Sequence, residues 1–287
     1  MPGVLTVIVP GVLVLFGVLG VSAVEARQRS LSVKDVMRRV AAYVDSYGAR
    51  AAVVVGTEEY TQQARDGGPT PETRRILADF AIVKVDALRG WQGFRDVVAV
   101  DGQPLPDRDD RLVRLLTTVG GRYDEARRLS DESARFNIGR ITRNFNVPTT
   151  ALFFFSRANQ DRFKFSAKAV DNAGLWEIAY EETSRPTLIR TPAGRSVPCK
   201  GRLWVNPVDG TVVRTRLEVD GFSGGERGPR GTGWVDVEYR FVEALQMWLP
   251  ASMDEEFAPG RGLVAGSISG RALYSNYRQF TTSGRVK

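Results

Sequence analysis

The chain has 287 residues, of which 43% are hydrophobic and 25% are charged, and this composition is typical of a globular protein with one large domain or two small ones. It contains no histidine, which excludes Ser-His-Asp triads, Cys-His pairs and histidine-rich zinc sites in their usual forms. The formal net charge is +7, but basic and acidic residues alternate, as in residues 107–111, so the sequence lacks the one-sided basic stripe of a nucleic-acid-binding protein.

Residues 1–24 carry no charged side chain and are dominated by Val, Leu, Ile and Phe. The small residues at 21–23 and 24–26 suit cleavage, so we expect residues 1–26 to be a signal peptide and the protein to be periplasmic or secreted. An uncleaved membrane anchor is the alternative, because about twenty apolar residues suffice to span a bilayer. For a basic, exported protein the expected electrostatic partner is an acidic membrane surface and not nucleic acid.

Helices and strands are both predicted in the first half of the remaining chain. Residues 32–47 have apolar positions at helical spacing and are predicted to form an amphipathic helix with a stripe of Val36, Val40 and Val44. Strands are predicted over residues 51–60, 76–88 and 96–100. The last of these leads into Asp101-Gly102, a dipeptide that favours a hairpin turn.

The middle of the chain is predicted to be helical. Apolar residues return to helical spacing over residues 109–119 and 134–145, and Pro148 should end the second of these helices. We therefore expect a helical insertion over about residues 107–150. The short apolar run at 151–155 fits either a helix or a strand, and periodicity does not decide between them.

From residue 162 onwards apolar and polar residues alternate, and this period of two predicts antiparallel strands with one dry and one wet face. A register slip of one residue would expose every apolar side chain, so we expect these side chains to share one side of a curved sheet. They are Phe163, Phe165, Trp176, Ile178, Tyr180, Val213, Leu217, Val235, Val237, Tyr239 and Phe241. All of them except Val235 are candidate ligand-binding residues that would line a cavity.

The predicted fold class is therefore α+β. We expect one β-rich domain over residues 27–287, built as a curved antiparallel sheet that forms an unclosed half-barrel. N-terminal and mid-chain helices should cover its dry face, because the apolar stripe of the 32–47 helix needs a partner. The lone Cys199 cannot form an intramolecular disulfide, so the core must hold this fold.

Carboxylates are the remaining candidates for catalysis, because a pair of them can serve as the acid and base of a glycosidase. The adjacent pairs and triplet are Glu58 with Glu59, Glu181 with Glu182, Asp109 with Asp110, and Asp254 with Glu255 and Glu256. Neighbouring side chains on a strand point to opposite faces, so an adjacent pair is a poor catalytic pair by itself. We predict no catalytic residue, no metal site and no cofactor.

Two resemblances extend this interpretation. Residues 201–207, 235–241, 248–250 and 274–278, with a turn at Asp209-Gly210 and the N-terminal helix, resemble the periplasmic outer-membrane lipoprotein carrier (LolA/LolB-like) superfamily. This resemblance lies mainly in residues 162–287 and implies an unclosed β-barrel, covered by helices, that holds acyl chains in its cavity. Segments at 94–102, 132–139 and 185–189 look like a family of uncharacterised exported bacterial proteins, a likeness that implies no activity.

Three functions are compatible with these observations. The first is a non-enzymatic, monomeric protein of the periplasm that binds a lipid or the acyl chain of a lipoprotein in an apolar half-barrel. The second is a carboxylate-dependent hydrolase of envelope polysaccharide, and the third is a structural module of a cell-envelope assembly that pairs through exposed strand edges. An enclosed apolar cavity would favour the first, and two carboxyl groups across an open cleft would favour the second.

Overall fold

A computed structural model describes residues 31–51, 54–85, 90–106, 128, 131–139, 143, 145–191, 194–222, 231–259 and 266–279. The predicted signal peptide and most of the predicted helical insertion lie outside these residues. The helix predicted over 134–145 is wrong where it is described, because the helix ends at residue 134 and residues 135–139, 143 and 145 are turn or irregular.

Among the described residues the α-helices are α1 (Val33–Ala51), a helical turn at 131–134 and the short α2 (Thr150–Phe154). None of the helices within the described residues is long and apolar enough to cross a membrane. The strands are β1 (Val54–Arg65), β2 (Glu72–Val85), β3 (Gly90–Val100), β4 (Gln103–Pro104), β5 (Phe163–Val170), β6 (Trp176–Glu182), β7 (Cys199–Val205), β8 (Val212–Phe222), β9 (Gly231–Val242), β10 (Met247–Ala258) and β11 (Ser267–Gln279).

All eleven strands belong to one antiparallel sheet with the order β4-β3-β2-β1-β11-β10-β9-β8-β7-β6-β5. Consecutive strands pair as hairpins, except that β1 pairs with β11 and so joins the N-terminal strands to the C-terminal ones. The two outer strands, β4 and β5, do not pair with each other, so the sheet is open. The predicted α+β class with an unclosed antiparallel sheet is confirmed.

The sheet is strongly curved. Helix α1 contacts β2 and β3 near one edge of the sheet and β5 at the opposite edge. In a flat sheet the strands from β3 to β5 would span about 43 Å, whereas the 19 residues of α1 extend about 28 Å. One helix can reach both edges only because the sheet bends around it.

Helix α1 packs its apolar stripe onto the inner side of the sheet, as expected. Val36, Val40 and Val44 are fully buried. The helix also abuts the β7–β8 hairpin, where Gly210 has a φ of +80° and a Cβ would lie 2.3 Å from the carbonyl carbon of Arg39. Glycine is therefore required at this position both by its backbone conformation and by the closeness of the helix.

The strands differ from their predicted lengths at polar ends. Strand β1 continues to Arg65 and strand β2 begins at Glu72, because residues such as Gln63 and Thr73 pair on the wet face of the sheet. Helix α1 continues four residues beyond the predicted end. The apolar run at 151–155 is largely helical, since Thr150–Phe154 forms α2.

Candidate functional site

An aromatic cluster fills the inner side of the sheet near its β5 edge. Phe165 on β5 lies directly opposite Tyr180 on β6, and the Phe155 ring is 5.0 Å from the Tyr180 ring. Phe154 of α2 stacks on Phe163 with ring centroids 5.5 Å apart. Helix α2 therefore lies inside the curve of the sheet and contributes aromatic side chains from a different part of the chain.

Gly201 on β7 makes room for this cluster. It faces Tyr180 across the strand pair, and a Cβ at this position would lie 2.6 Å from the Tyr180 hydroxyl oxygen. The tyrosine ring passes over the glycine and its hydroxyl donates to the Arg216 carbonyl oxygen at 3.0 Å. Burial raises the pKa of Tyr180 well above its ordinary value, so this hydroxyl stays protonated and acts as a donor.

The structure buries most of the residues that the alternation assigned to the dry face. The buried ones are Phe163, Trp176, Ile178, Tyr180, Leu217, Val235, Val237 and Tyr239. Phe165 is half-buried on the edge strand. Their role in binding a ligand stays a prediction.

Two of the predicted residues are placed differently, and each difference has a local cause. Val213 is the extra residue of a β-bulge, because Val205 pairs with Val212 while Trp204 pairs with Arg214. Val212 takes the buried position and Val213 is half-buried. Phe241 lies at the tip of the β9–β10 hairpin, where it packs on Trp248 and stays largely exposed.

A buried ionic network occupies the inner side of β1, β3, β10 and β11. Arg95 Nη2 donates to Glu58 Oε1 at 2.7 Å, and the Tyr274 hydroxyl donates to the same oxygen at 2.6 Å. The Arg95 guanidinium also lies over the Tyr60 ring, 4.5 Å from its centroid. Burial opposes the charge of Arg95, but the Glu58 carboxylate outweighs it and holds the arginine pKa above its ordinary value.

The second half of the network joins Arg143 and Asn146 to strands β1 and β10. Arg143 donates from Nε to Glu255 Oε1 at 3.1 Å and from Nη2 to Gln62 Oε1 at 2.5 Å. The Tyr60 hydroxyl donates to the same Glu255 oxygen and accepts from Asn146 Nδ2 at 3.2 Å. Arg143 and Asn146 are thus fixed to the inner face by buried polar contacts, whereas α2 is surrounded by aromatic side chains.

The pattern of residue types along the chain did not predict this network. Glu58, Tyr60 and Gln62 alternate along β1, and such a polar strand face is normally exposed to water. Arg95 compensates the buried charge of Glu58 and Arg143 bonds Gln62, and both arginines come from distant parts of the chain. One signal for burial was available in the sequence: Glu58 and Tyr60 alternate along a strand whose partner, β2, places Ala78 and Ile76 opposite them.

The outer side of the sheet carries an open groove of about 790 Å³. Asp236 lies in it and accepts a two-point interaction from Arg214, with Nε–Oδ1 at 2.8 Å and Nη2–Oδ2 at 2.9 Å. The guanidinium of Arg216 lies 4.4 Å from the centroid of the Trp234 ring. The hydrogen bonds to Asp236 raise the pKa of Arg214, so the groove holds fixed charges.

The structure separates the adjacent carboxylates onto opposite faces, as the strand geometry predicts. Glu58, Glu182 and Glu255 are buried, while Glu59, Glu181 and Glu256 are exposed. Asp109 and Asp110 lie outside the described residues. Glu59, Asp254 and Glu256 line the outer groove together with Glu238 from β9. Within the described ranges, no group of three or more Cys, Asp or Glu side chains could hold a metal ion.

Cys199 is buried in a structural position. Its thiol donates to Glu182 Oε2 at 3.4 Å, and Glu182 also accepts from Arg162 Nε at 3.2 Å. Burial, followed by the charge of Glu182, raises the pKa of the Cys199 thiol. The thiol is therefore protonated and a poor nucleophile.

Comparison with known proteins gives similarity in structure only. No protein-family model and no curated protein matches the sequence. The chain is similar to the crystal structure of a LolA superfamily protein from Nitrosomonas europaea, with 13% identity and a TM-score of 0.35. The match covers 84% of this chain and 93% of that protein. Over 85% of its length it is similar to 93% of a putative outer membrane lipoprotein-sorting protein domain from Vibrio parahaemolyticus, with 11% identity and a TM-score of 0.37. The function therefore has to be inferred from this chain's own residues.

Proposed function

We propose that this protein is a non-enzymatic, exported protein that binds the acyl chain of a lipid or lipoprotein on the inner side of its curved sheet. The ligand would lie between β5–β8 and the two helices. Such binding requires apolar walls and no catalytic group, because burial contributes about 25 cal/mol for each Å² of apolar surface. A long acyl chain buried here would bind with useful affinity.

The observation that carries this proposal is the position of α2. Its Ala151, Leu152 and Phe154 are buried inside the curve of the sheet, and Phe155 follows them. This segment is itself a chain of apolar groups that occupies the interior. We propose that an acyl chain takes its place against the inner face when α2 moves outwards.

Few polar contacts oppose such a movement. Helix α2 has five residues and no side-chain cap at its N-terminus. Near it, the Tyr239 hydroxyl donates to the Pro148 carbonyl oxygen at 2.7 Å, and Asn159 Nδ2 donates to the Phe153 carbonyl oxygen at 3.3 Å. Gln160 Nε2 donates to the Phe155 carbonyl oxygen at 3.4 Å and to the Met37 carbonyl oxygen of α1 at 2.7 Å. The remaining contacts of this segment are mainly apolar, and a ligand of the same chemistry can replace them.

The first experiment looks for the ligand. Native mass spectrometry of the protein purified from its own host is expected to show a bound lipid, and a naturally fluorescent long-chain fatty acid is expected to bind saturably after that lipid is removed. The substitution Phe165→Asp places a charge on the half-buried inner face and should weaken fatty-acid binding at least about tenfold. The matched control is Ser166→Asp, on the outer face of the same strand, which should bind normally. Repeated purification without lipid, together with no saturable binding, would count against the proposal.

A carboxylate-dependent polysaccharide hydrolase is the second candidate, and the outer groove favours it. The groove is open and Glu59, Glu238, Asp254 and Glu256 line it. Arg271 holds Asp254 at 3.0 Å, which leaves the three glutamates as candidates for acid and base. Release of reducing ends from cell-wall polysaccharide, abolished by Glu238→Gln or Glu256→Gln, would establish this activity; no release by the native protein would remove it.

A further inference from the structure

A buried tyrosine binds a carbonyl group where the segment before α2 meets the inner side of the sheet. The Tyr239 hydroxyl, on β9, donates to the Pro148 carbonyl oxygen at 2.7 Å in a buried hydrogen bond. Pro148 is two residues before α2, which begins at Thr150. This part of the interior therefore accommodates an uncharged carbonyl group next to the apolar side chains of α2.

A second tyrosine, Tyr47 on α1, has a hydroxyl with no hydrogen-bond partner among the described residues. Its side chain is only 3% exposed. Most buried polar groups are hydrogen-bonded, because a buried hydroxyl without a partner destabilises the folded protein. Burial raises the pKa of Tyr47 well above its ordinary value, so the hydroxyl stays protonated and can donate. Helix α1 thus holds a buried donor that no described residue uses.

Tyr47 lies close to Tyr239 and to the space that α2 fills. Tyr239 is one of the groups that act electrostatically on Tyr47. The centroid of the Tyr47 ring is 5.4 Å from that of Trp91 on β3, and the Trp91 centroid is 6.1 Å from that of Phe153 on α2. Trp91 Nε1 is also buried and without a partner in the described part of the chain. Buried donors therefore lie beside the segment that moves outwards in the proposed function.

The electrostatic surroundings of the two tyrosines favour an uncharged ligand group. The groups that act on Tyr47 are other tyrosines, which carry no charge at neutral pH. The charged residue that acts on Tyr239 is Asp236, which would repel an anion. Arg50 acts on Tyr43, but it donates to carbonyl oxygens of the β9–β10 turn at the exposed end of α1. A carboxylate buried here would lose its hydration without gaining a cation, whereas an ester or amide carbonyl has no net charge and two lone pairs that accept hydrogen bonds.

We propose that Tyr239 and Tyr47 form a carbonyl-binding subsite for the ester or amide group of a bound acyl chain. This inference rests on the proposed function, because the ligand carbonyl takes the place of the Pro148 carbonyl when α2 moves outwards. The hydrocarbon replaces the apolar side chains of α2, and the carbonyl accepts a hydrogen bond from each tyrosine. The subsite therefore selects acyl chains that are ester- or amide-linked. A free fatty acid still binds through its hydrocarbon chain, but more weakly.

Three fluorescent probes with the same hydrocarbon chain test this subsite: cis-parinaric acid, its methyl ester and its N-methylamide. At pH 8 the native protein is expected to bind the ester or the amide at least about tenfold more tightly than the ionised acid. Tighter binding of the ester would indicate an esterified lipid, and tighter binding of the amide would indicate an amide-linked acyl chain. Tyr47→Phe and Tyr239→Phe each remove one donor and should reduce the preference for the carbonyl probe about threefold to tenfold. This preference is a ratio of two affinities, so the cost of moving α2 cancels from it.

The matched control is Tyr277→Phe. The Tyr277 hydroxyl already donates to the Pro250 carbonyl oxygen at 2.8 Å, so the preference of this variant should equal that of the native protein. Urea denaturation of the ligand-free proteins gives a second measurement. Tyr47→Phe should leave the midpoint unchanged or raise it, because it removes a hydroxyl without a partner, whereas Tyr277→Phe should lower the midpoint.

An unchanged preference in both Tyr47→Phe and Tyr239→Phe would overturn the inference and leave acyl binding intact. A midpoint for Tyr47→Phe as low as that of Tyr277→Phe would also overturn it, because the Tyr47 hydroxyl would then have a structural partner. Failure of the native protein to bind any of the three probes would overturn the proposed function and this inference with it.

Discussion

The Arg143 guanidinium and the Glu255 carboxylate lie 3.1 Å apart, and neither side chain is exposed to solvent. Among the described residues, Glu255 Oε2 has no hydrogen-bond partner, so Arg143 and the Tyr60 hydroxyl supply the stabilisation of this carboxylate through Oε1. A buried charge with a single cationic partner is strongly destabilised when that partner is removed. This pair therefore fixes Arg143 to strand β10, and losing either partner should be strongly destabilising.

Replacing Arg143 by Met is expected to lower the free energy of unfolding by about 3–5 kcal/mol, because Glu255 is then buried without a counter-charge. Urea denaturation measures the effect. Adding Glu255→Gln to this variant should recover part of the loss, since it removes the uncompensated charge. A loss below about 1 kcal/mol would mean that water already reaches the pair.

Buried tyrosines predict the response of the protein to alkaline pH. Burial, and secondarily nearby carboxylates, raise the pKa of Tyr60 and Tyr274 above the ordinary value of 10.0. Such groups bind their protons more tightly in the folded state, so their contribution to stability is complete below pH 10 and is lost as pH rises above it. We expect the free energy of unfolding to fall steeply above about pH 10. Tyrosinate absorbance should appear together with unfolding; its appearance in a protein that stays folded would contradict this.

Gly210 and Gly102 form a matched pair that tests the contact between α1 and the β7–β8 hairpin. Both have a φ of +80°, but a Cβ on Gly210 would meet the α1 backbone, while one on Gly102 would meet nothing within 4 Å. Gly102→Ala should cost about 1–2 kcal/mol from backbone strain alone. Gly210→Ala should cost about 1–3 kcal/mol more, because the helix must also shift. If thermal or urea denaturation shows that both variants lose the same free energy of unfolding, the helix moves aside without a measurable cost.

Cys199 should be unreactive in the native protein. Its thiol is buried and its pKa is raised, so the thiolate that attacks disulfide reagents is scarce. A coloured disulfide reagent is expected to label it only after unfolding, at the rate of unfolding. Rapid stoichiometric labelling of the folded protein would mean that the Glu182–Cys199 region opens locally.

The strand alternation after residue 162 predicted much of the fold, since the dry face follows directly from the period of two. It did not predict the bulge at Val213 or the exposure of Phe241, because both depend on pairing with strands whose register the sequence does not state. The 151–155 run was undecidable locally, and its helical form depends on packing against Phe163 and Tyr180. The buried network was missed because Glu58 on β1 gains its cationic partner, Arg95 on β3, only across the intervening strand β2.

The pairing of β1 with β11 joins residues such as Tyr60 and Ala272 that are far apart in the chain. No turn motif links these strands, so a sequence pattern contains no signal for the pairing. The position of α2 inside the curved sheet has the same origin. Long-range packing thus set the position of α2, on which the proposed function depends.

Hydrogen exchange with and without a saturating long-chain fatty acid tests the acyl-binding proposal most directly. If the ligand replaces α2 on the inner face, the amides of residues 152–155 will exchange faster in the complex, while those of β6 and β7 will exchange more slowly or remain unchanged. Unaltered protection of residues 152–155 in a protein that has bound the fatty acid would place the ligand elsewhere and contradict the account.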